Sequence, residues 1–398
     1  MQKNANLIVI FFGVLAFGFG SGLIIGKILG SNDESGRFNA SSFFSSSPSF
    51  ELLREGIDVI EEMYVESEKV EEEDLVYGAM EGMIKALGDP HSTFLKPKLS
   101  KIFEENINGS FEGIGAEITI KEGVLTIVSP LKNSPAERAG VKSGDRVLYI
   151  DDTATDDLAL DEAIQIIRGP KGEKVVLTIE RNGVDGSIKI AIVRDTIKIP
   201  STEWEEKEGR IGYVALYQFT ESASADFNNL ANEILKSDVE KIILDLRNNP
   251  GGLLEVSVDI AGWFLDPGMV VAEERGVVES GKFYKTRGNG ALSGYPLVIL
   301  VNKGSASASE ILAGALKDHR GVQLIGESTF GKGSVQQLVK LSDGSNIKIT
   351  VAKWFTPSGI SIDGNGLEPD IKVDMTQEIF ESKGDIQLEK AIEALKEL

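Results

Sequence analysis

A chain of 398 residues, 41% apolar and 26% charged, is long enough for two or three domains with separate cores. Its net charge of −21, with no basic cluster to offset it, repels a polyphosphate backbone and excludes nucleic acid as a partner. With no cysteine and only two histidines, His91 and His319, a thiol nucleophile is ruled out and thiolate or clustered-histidine metal sites lack ligands; no metal or organic cofactor is expected.

Residues 7–26 carry no charge, and a helix of that length spans about 30 Å of hydrocarbon. The run is longer than a signal-peptide core, no A-x-A cleavage site follows it, and Lys27 stands at its far end. Residues 1–29 are therefore read as an uncleaved signal anchor. Lys3 and Lys27 lie on opposite sides of it, so orientation has to come from function. Serines crowd positions 41–49, and residues 30–49 read as a flexible tether. Folding is expected from about Phe50, in a helical segment over 50–103. Phe50, Leu53, Ile57, Ile60 and Tyr64 fall at helical spacing, as do Leu75, Ala79, Met80, Met83, Ile84 and Leu87, closed by Gly88. The acidic run 71–74 suits the start of that second helix.

From about residue 104 to 195 the pattern changes to short strands at 116–120, 124–128, 146–150 and 175–181, with one helix at 158–168. Gly113, Ile114, Gly115 and Ala116, followed by Ser134-Pro135-Ala136-Glu137-Arg138-Ala139-Gly140 and Gly144-Asp145, make this region resemble a PDZ domain. In such a turn, glycines let successive N–H groups converge on a carboxylate while the adjacent strand edge pairs with a peptide tail. Arg168, at the end of the predicted helix, complements the helix C-terminus; a sharper reading makes it a link between this domain and the rest of the chain.

Beyond residue 195, strands at 212–217, 241–246, 297–301 and 347–354 alternate with helices at 222–235 and 253–264, as in an α/β body, and residues 379–398 form a charged helical tail. The apolar strand 297–301 leads into Ser305, Ser307 and Ser309, three competing nucleophiles at the start of a helix over 308–319, where N–H groups favour an oxyanion. Lys332, between Gly331 and Gly333, is the candidate base, and a base at neutral pH only if folding desolvates it. Gly326, Gly331 and Lys332 also have phosphate-loop spacing. Gly333, however, stands where that loop needs a Ser or Thr to hold magnesium.

Four stretches taken together, G-S-A-S-A-S-E-I at 304–311, G-E-S-T-F-G-K-G-S-V-Q at 326–336, L-D-L-R-N-N-P-G-G at 244–252 and G-D-P-H-S-T-F-L at 88–95, resemble the C-terminal processing peptidases, or tail-specific proteases. The similarity runs over about residues 50–373. It implies an α/β (α+β) multidomain chain: a transmembrane helix, a helical segment, a PDZ domain over 104–195, a crotonase/Clp-protease-like core over 196–374 and a helical tail over 375–398. By the same resemblance Ser307 is the nucleophile, Lys332 the general base, Gln336 the residue orienting its amine, and Asp318 a supporting residue. Gly252 and the Ala308 amide form the oxyanion hole. His91 reads as a hydrogen-bonded structural residue, Asn248 and Asn249 as loop structure, and 354–359 as scaffolding.

The implied activity is that of a membrane-anchored serine endopeptidase, its amino terminus inside and its catalytic part outside the cytoplasm, cutting proteins with unstructured, apolar C-terminal tails. The candidate partners are those proteins, the membrane, a second copy of the chain through its terminal helices, and a regulatory protein. Two rivals are a catalytically silent or activator-dependent PDZ adaptor and a hydrolase of small esters or amides. Retention of Ser307, Lys332, Gln336 and Gly252 disfavours the first, and the peptide-binding module the second.

Overall fold

The computed structural model describes residues 19–20, 48–121, 123–131, 133–156, 158–198, 200–276 and 280–398. Of the expected anchor helix, only Phe19 and Gly20 belong to that set, and they form a two-residue strand paired with Gly251–Gly252 rather than part of a helix. The rest of it, and the tether up to residue 47, lie outside the described residues. No helix among the described residues is long and apolar enough to cross a membrane.

Helix α1 (Pro48–Met63) is largely exposed, and α2 (Glu72–Lys85) opens with Glu72, Glu73 and Asp74 and ends with Lys85, both complementing the helix dipole. Gly88 does not cap α2 directly: Ala86 is the capping residue, and Gly88 takes φ +67 in the turn that follows. Tyr77 and Ile84 of α2 pack with Phe94 of strand β1 (Thr93–Leu95). Helix α3 (Pro97–Asn108) begins inside the helical segment expected over 50–103 and runs past its end; proline in its first turn and Gly109 at φ +70 beyond its end mark both termini. Its Phe103 and Ile107 join Leu95 against Leu253 and Leu338 of the body.

Strand β2 (Ser110–Gly113) leads into an antiparallel sheet whose strands lie in chain order: β3 (Ala116–Lys121), β4 (Val124–Pro130), β5 (Arg146–Ile150), β6 (Lys174–Glu180) and β7 (Ser187–Val193). Two helices, α4 (Pro135–Arg138) and α5 (Leu160–Ile167), accompany it. Ile127, Val147, Val175, Leu177, Ile179 and Ile192 fill a core of its own. Strand β8 (Asp195–Lys198) then returns antiparallel to β2, Asp195 opposite Gly113 and Lys198 opposite Ser110. The module is thus an insertion whose two ends are hydrogen-bonded side by side.

The body continues through β9 (Thr202–Lys207), β10 (Ile211–Leu216), α6 (Ala223–Ile234), β11 (Lys241–Asp245), α7 (Leu254–Phe264) and the hairpin β12 (Val270–Gly276) to β13 (Ser280–Lys285). It ends with β14 (Leu297–Val301), α8 (Ala308–Arg320), β15 (Gln323–Gly326), β16 (Ser334–Lys340), β17 (Asn346–Phe355), β18 (Ile371–Lys372), α9 (Gln377–Lys383) and α10 (Ile386–Glu397). One sheet has the order β9-β10-β11-β14-β15-β18, antiparallel at β9–β10 and parallel elsewhere; a second, antiparallel sheet has the order β13-β12-β17-β16, with β1 added to β17. Strand β14 is apolar throughout because both its faces are covered: Leu297, Ile299 and Val301 meet the core beneath α6, α7 and α8, while Val298 and Leu300 meet Ala391, Ala394 and Leu395 of α10. The segment read from sequence as a tail is a packed layer of the body.

Candidate active site

The chain leaves β14 at Val301 and turns sharply at Ser307, whose φ of +54 and ψ of −112 lie outside the ordinary range of a serine. The structure separates the three serines by what their hydroxyls do. Ser305 Oγ donates to Leu246 O at 2.8 Å and Ser309 Oγ to Asn249 O at 2.9 Å. Ser307 Oγ is buried and has no hydrogen-bond partner among the described residues. The flanking serines thus fasten the turn to the 246–249 loop, and the middle one is left uncommitted.

Glu310, buried at the start of α8, holds this turn in place. Its Oε2 accepts Ser307 N at 2.8 Å and Lys332 N at 3.0 Å, and its Oε1 accepts Thr329 Oγ1 at 2.5 Å and Gly331 N at 2.8 Å. One carboxylate therefore ties the backbone of the candidate nucleophile to that of the candidate base. Burial raises the Glu310 carboxyl above its usual range, against the pull of these four donors.

Lys332 is only 1% exposed. Its Nζ donates to Gln336 Oε1 at 3.0 Å, and Gln336 Nε2 donates in turn to the carbonyl of His91. Across from the Val335–Gln336 step, β17 carries one extra residue, Val351, a bulge that brings Thr350 opposite Gln336. Burial, reinforced by the like charge of Lys348, pushes the Lys332 amine down to about 7, with Asp89 and Glu310 pulling the other way. His91 contributes its carbonyl rather than its ring, as a structural role requires.

The 244–252 loop supplies the facing wall. Gly251 N donates to Asn249 Oδ1 at 2.9 Å within the loop, and Asn249 Nδ2 donates to Leu216 O of β10 at 2.6 Å, so both groups are committed. A Cβ on Gly251 would lie 2.9 Å from that of Ser307 and 3.0 Å from Ala308 N; one on Gly252, at φ +144, would lie 2.2 Å from Phe219 O. Only glycine permits this approach. Phe19 and Gly20 pair in parallel with Gly251–Gly252, so this edge receives an extended strand beside Ser307. Ala308 opens α8, where backbone N–H groups lack intrahelical partners.

Other expected residues lie elsewhere. Asp318 is exposed, eleven residues along α8 from Ser307 and hence about 16 Å away, and accepts Ser358 N at 2.9 Å. It anchors the 356–359 turn and does not enter the cluster around Ser307. Arg168 follows α5, its Nη1 3.6 Å from Glu105 Oε2 of α3 and its guanidinium 4.4 Å from the Phe111 ring centre. It bridges the inserted module to the elements that adjoin it. Gly113 ends β2, Ile114 O accepts Ala136 N at 2.8 Å, and Gly115, at φ +70, leaves 2.6 Å between a Cβ and that of Ser134. Ala116 begins β3, an edge strand of its sheet among the described residues.

Glu310, Thr329, Asp89 and Lys348 are the site residues that sequence reasoning passed over. For Glu310 a signal existed: Ser307 and Glu310 stand at capping-box spacing. Among the described residues no group of three or more acidic or histidine side chains could hold a metal ion.

Residues 210–373 match the model of peptidase family S41, residues 126–181 that of the PDZ domain, and residues 27–98 that of the activating protease CtpB N-terminal domain. The chain is 40% identical over 329 residues to the carboxy-terminal processing protease CtpA of Bacillus subtilis, covering 82% of this chain and 69% of that one. It is 37% identical over 346 residues to CtpB of the same organism, covering 85% and 70%. Among solved structures it is similar to the photosystem II D1 C-terminal processing protease, with a TM-score of 0.50, 29% identity and coverage of 83% of this chain and 94% of that one.

Proposed function

This chain belongs to peptidase family S41, as a carboxy-terminal processing serine protease with a PDZ domain, and on that premise we propose that it is a membrane-anchored endopeptidase working through Ser307 and Lys332. The observation that carries the pair is the shared carboxylate of Glu310, which binds the amides of Ser307 and Lys332 through one oxygen while Ser307 Oγ alone of the three serines stays uncommitted.

The proposed chemistry draws on this geometry. A neutral Lys332 amine donates one N–H to Gln336 and keeps its lone pair, which turns to Ser307 Oγ and takes its proton as the oxygen attacks the peptide carbonyl. The amides of Gly252 and Ala308 receive the oxyanion; Gly251 N, already committed to Asn249, leaves that role to its neighbour. Lys332 then returns the proton to the leaving amine, and water releases the acyl group by the same route. Glu310 keeps both partners in register, and the parallel strand β14 delivers the nucleophile, in keeping with a crotonase/Clp-protease-like reading of the core over 196–374.

The edge of β3 and the turn 113–116 suit an extended apolar tail ending in a carboxylate, presented by an unfolded protein substrate. The Arg168–Glu105 contact suits a route by which the PDZ domain and α3 influence each other. The uncharged run 7–26 supports an anchor, with the catalytic part outside the cytoplasm; the exposed face of α1 suits a second copy of the chain or a regulatory protein.

The test uses the full chain with a protein bearing an unfolded apolar tail. Cleavage by the parent and by neither Ser307→Ala nor Lys332→Ala is expected. Tail binding without cleavage by all three would replace the protease with the adaptor, and recovery of the chain from the aqueous rather than the membrane fraction of cells would remove the anchor.

A further inference from the structure

A second lysine is buried close to the first. Lys348, on β17, is 4% exposed, and its Nζ lies 5.7 Å from the centre of the Phe103 ring. It stands opposite Leu338 of β16 and Thr93 of β1, while Thr350, two residues on, stands opposite Gln336. Residues two apart on a strand, and residues directly opposite on its neighbour, share a face of the sheet. Lys348 therefore lies on the face that carries Gln336, the hydrogen-bond partner of Lys332.

The turn between α2 and β1 brings an acid to the same place. Asp89 Oδ1 accepts His91 N at 3.0 Å and its Oδ2 accepts Ser92 Oγ at 2.5 Å; Ser92 Oγ in turn accepts Thr350 N at 3.0 Å, and the His91 carbonyl holds Gln336. These bonds stitch the turn to both strands and hold the carboxylate within electrostatic reach of both buried lysines.

We propose that Lys348, on the sheet face that carries Gln336, and Asp89, fixed by the turn that holds Gln336, are an opposed pair of positioning residues for Lys332. The inference rests on the Ser-Lys reading. The other charged groups around the two lysines are Glu310 from α8, His91 from the same turn, Asp363 from the segment before β18, and Glu104 of α3, whose Oε1 lies 3.2 Å from Asn346 Nδ2. Burial also pushes the Lys348 amine down, to about 8, with Asp89 opposing. Two amines so placed titrate as a coupled set: a proton held by one makes the other release its own more readily. Asp363 is engaged with Lys353 at 2.7 Å, and Glu310 acts on Lys332 but not on Lys348, which makes Asp89 the acid common to both lysines.

The experiment is the pH profile of kcat/KM for the full chain on a tailed protein, read as the midpoint of the acid limb. Lys348→Met is expected to move that midpoint up by about one pH unit, by removing the like charge, and Asp89→Asn to move it down by a similar amount. Lys348→Arg, which keeps the charge, is expected to leave the midpoint at or below the parent value. An unmoved midpoint in Lys348→Met, or movement of Lys348→Met and Asp89→Asn in the same direction, overturns the proposal. Where a folded variant is too slow on the protein substrate, the pH dependence of Ser307 labelling by a small fluorophosphonate gives the same midpoint with the same expected signs. Failure of the Ser-Lys reading shows separately: in that case the parent profile survives Lys332→Ala.

Discussion

The body of this protease buries charge in two places and treats it in opposite ways. Around Arg247 every charge is answered. Its guanidinium binds Asp245 at 2.6–3.0 Å and Asp385 at 2.8 Å, and Tyr213 donates to Asp245 at 2.7 Å. Burial works against the charged form there, but Asp245 and Asp385 outweigh it and hold the guanidinium pKa above its ordinary value. Around Lys332 the balance is reversed: burial and a second cation dominate, and the amine is left close to losing its proton. A cation matched by two carboxylates makes a joint between α10 and the 244–252 loop; a cation buried near another cation makes a base.

The contrast can be broken most severely at Glu310. Glu310→Ala leaves the buried N–H groups of Ser307, Gly331 and Lys332 without their acceptor, each at about 1–3 kcal/mol. A fall in kcat/KM of roughly a hundredfold or more is expected, with a lowered denaturation midpoint. Arg247→Met strands two carboxylates and is expected to cost about 3–5 kcal/mol in chemical denaturation, with the acid limb of the activity profile unmoved.

Lys332→Met tests the other half of the comparison, because it should abolish cleavage and yet stabilise the fold. The folded-state values of about 7 for Lys332 and about 8 for Lys348 lie below the ordinary 10.5, so the unfolded chain binds more protons between these limits. The parent should therefore gain stability as pH rises from about 7 toward 10.5. Lys332→Met should flatten that slope and gain up to about 4 kcal/mol at pH 7. A destabilised Lys332→Met, or a parent whose stability is level across that window, removes the distinction between the two clusters.

Two smaller effects sharpen it. Leu395→Ala, on the face of α10 that covers β14, is expected to cost about 2–3 kcal/mol and so to show that the last helix is structural. Asp318→Ala is expected to lose about 1 kcal/mol through the 356–359 turn and to leave the acid limb in place.

Much of this was legible in the chain. Apolar periodicity placed α1, α2, α6 and α7; the uniform apolar run of β14 announced a strand covered on both faces; and the spacing of small residues located the nucleophile turn. The choice among Ser305, Ser307 and Ser309 was not legible from spacing, because it depends on which carbonyls the neighbouring loop offers. Lys348 was hidden for a related reason. In I-K-I-T-V a lysine reads as the polar side of a strand, and only the pairing of β17 with β16 and β1 turns that side inward. Asp318 stands on the nucleophile's own helix, but helical rise carries it out of reach. Helix α3 could have been found from Pro97 and Gly109; α10 looked like a tail because its charged face is as prominent in sequence as its buried one.

The strand pair β2–β8 has a consequence for how the chain is made. Synthesised from the amino end, α3 must wait for Leu253 and Leu338, both encoded beyond the inserted module, before its apolar face is covered. A disordered insertion of some 80 residues would charge that docking an entropy of loop closure of about 4 kcal/mol. A PDZ domain that folded first, bringing Gly113 and Asp195 together, would remove most of that cost in advance. The module expected to select the substrate would then also serve as a scaffold for assembling the enzyme.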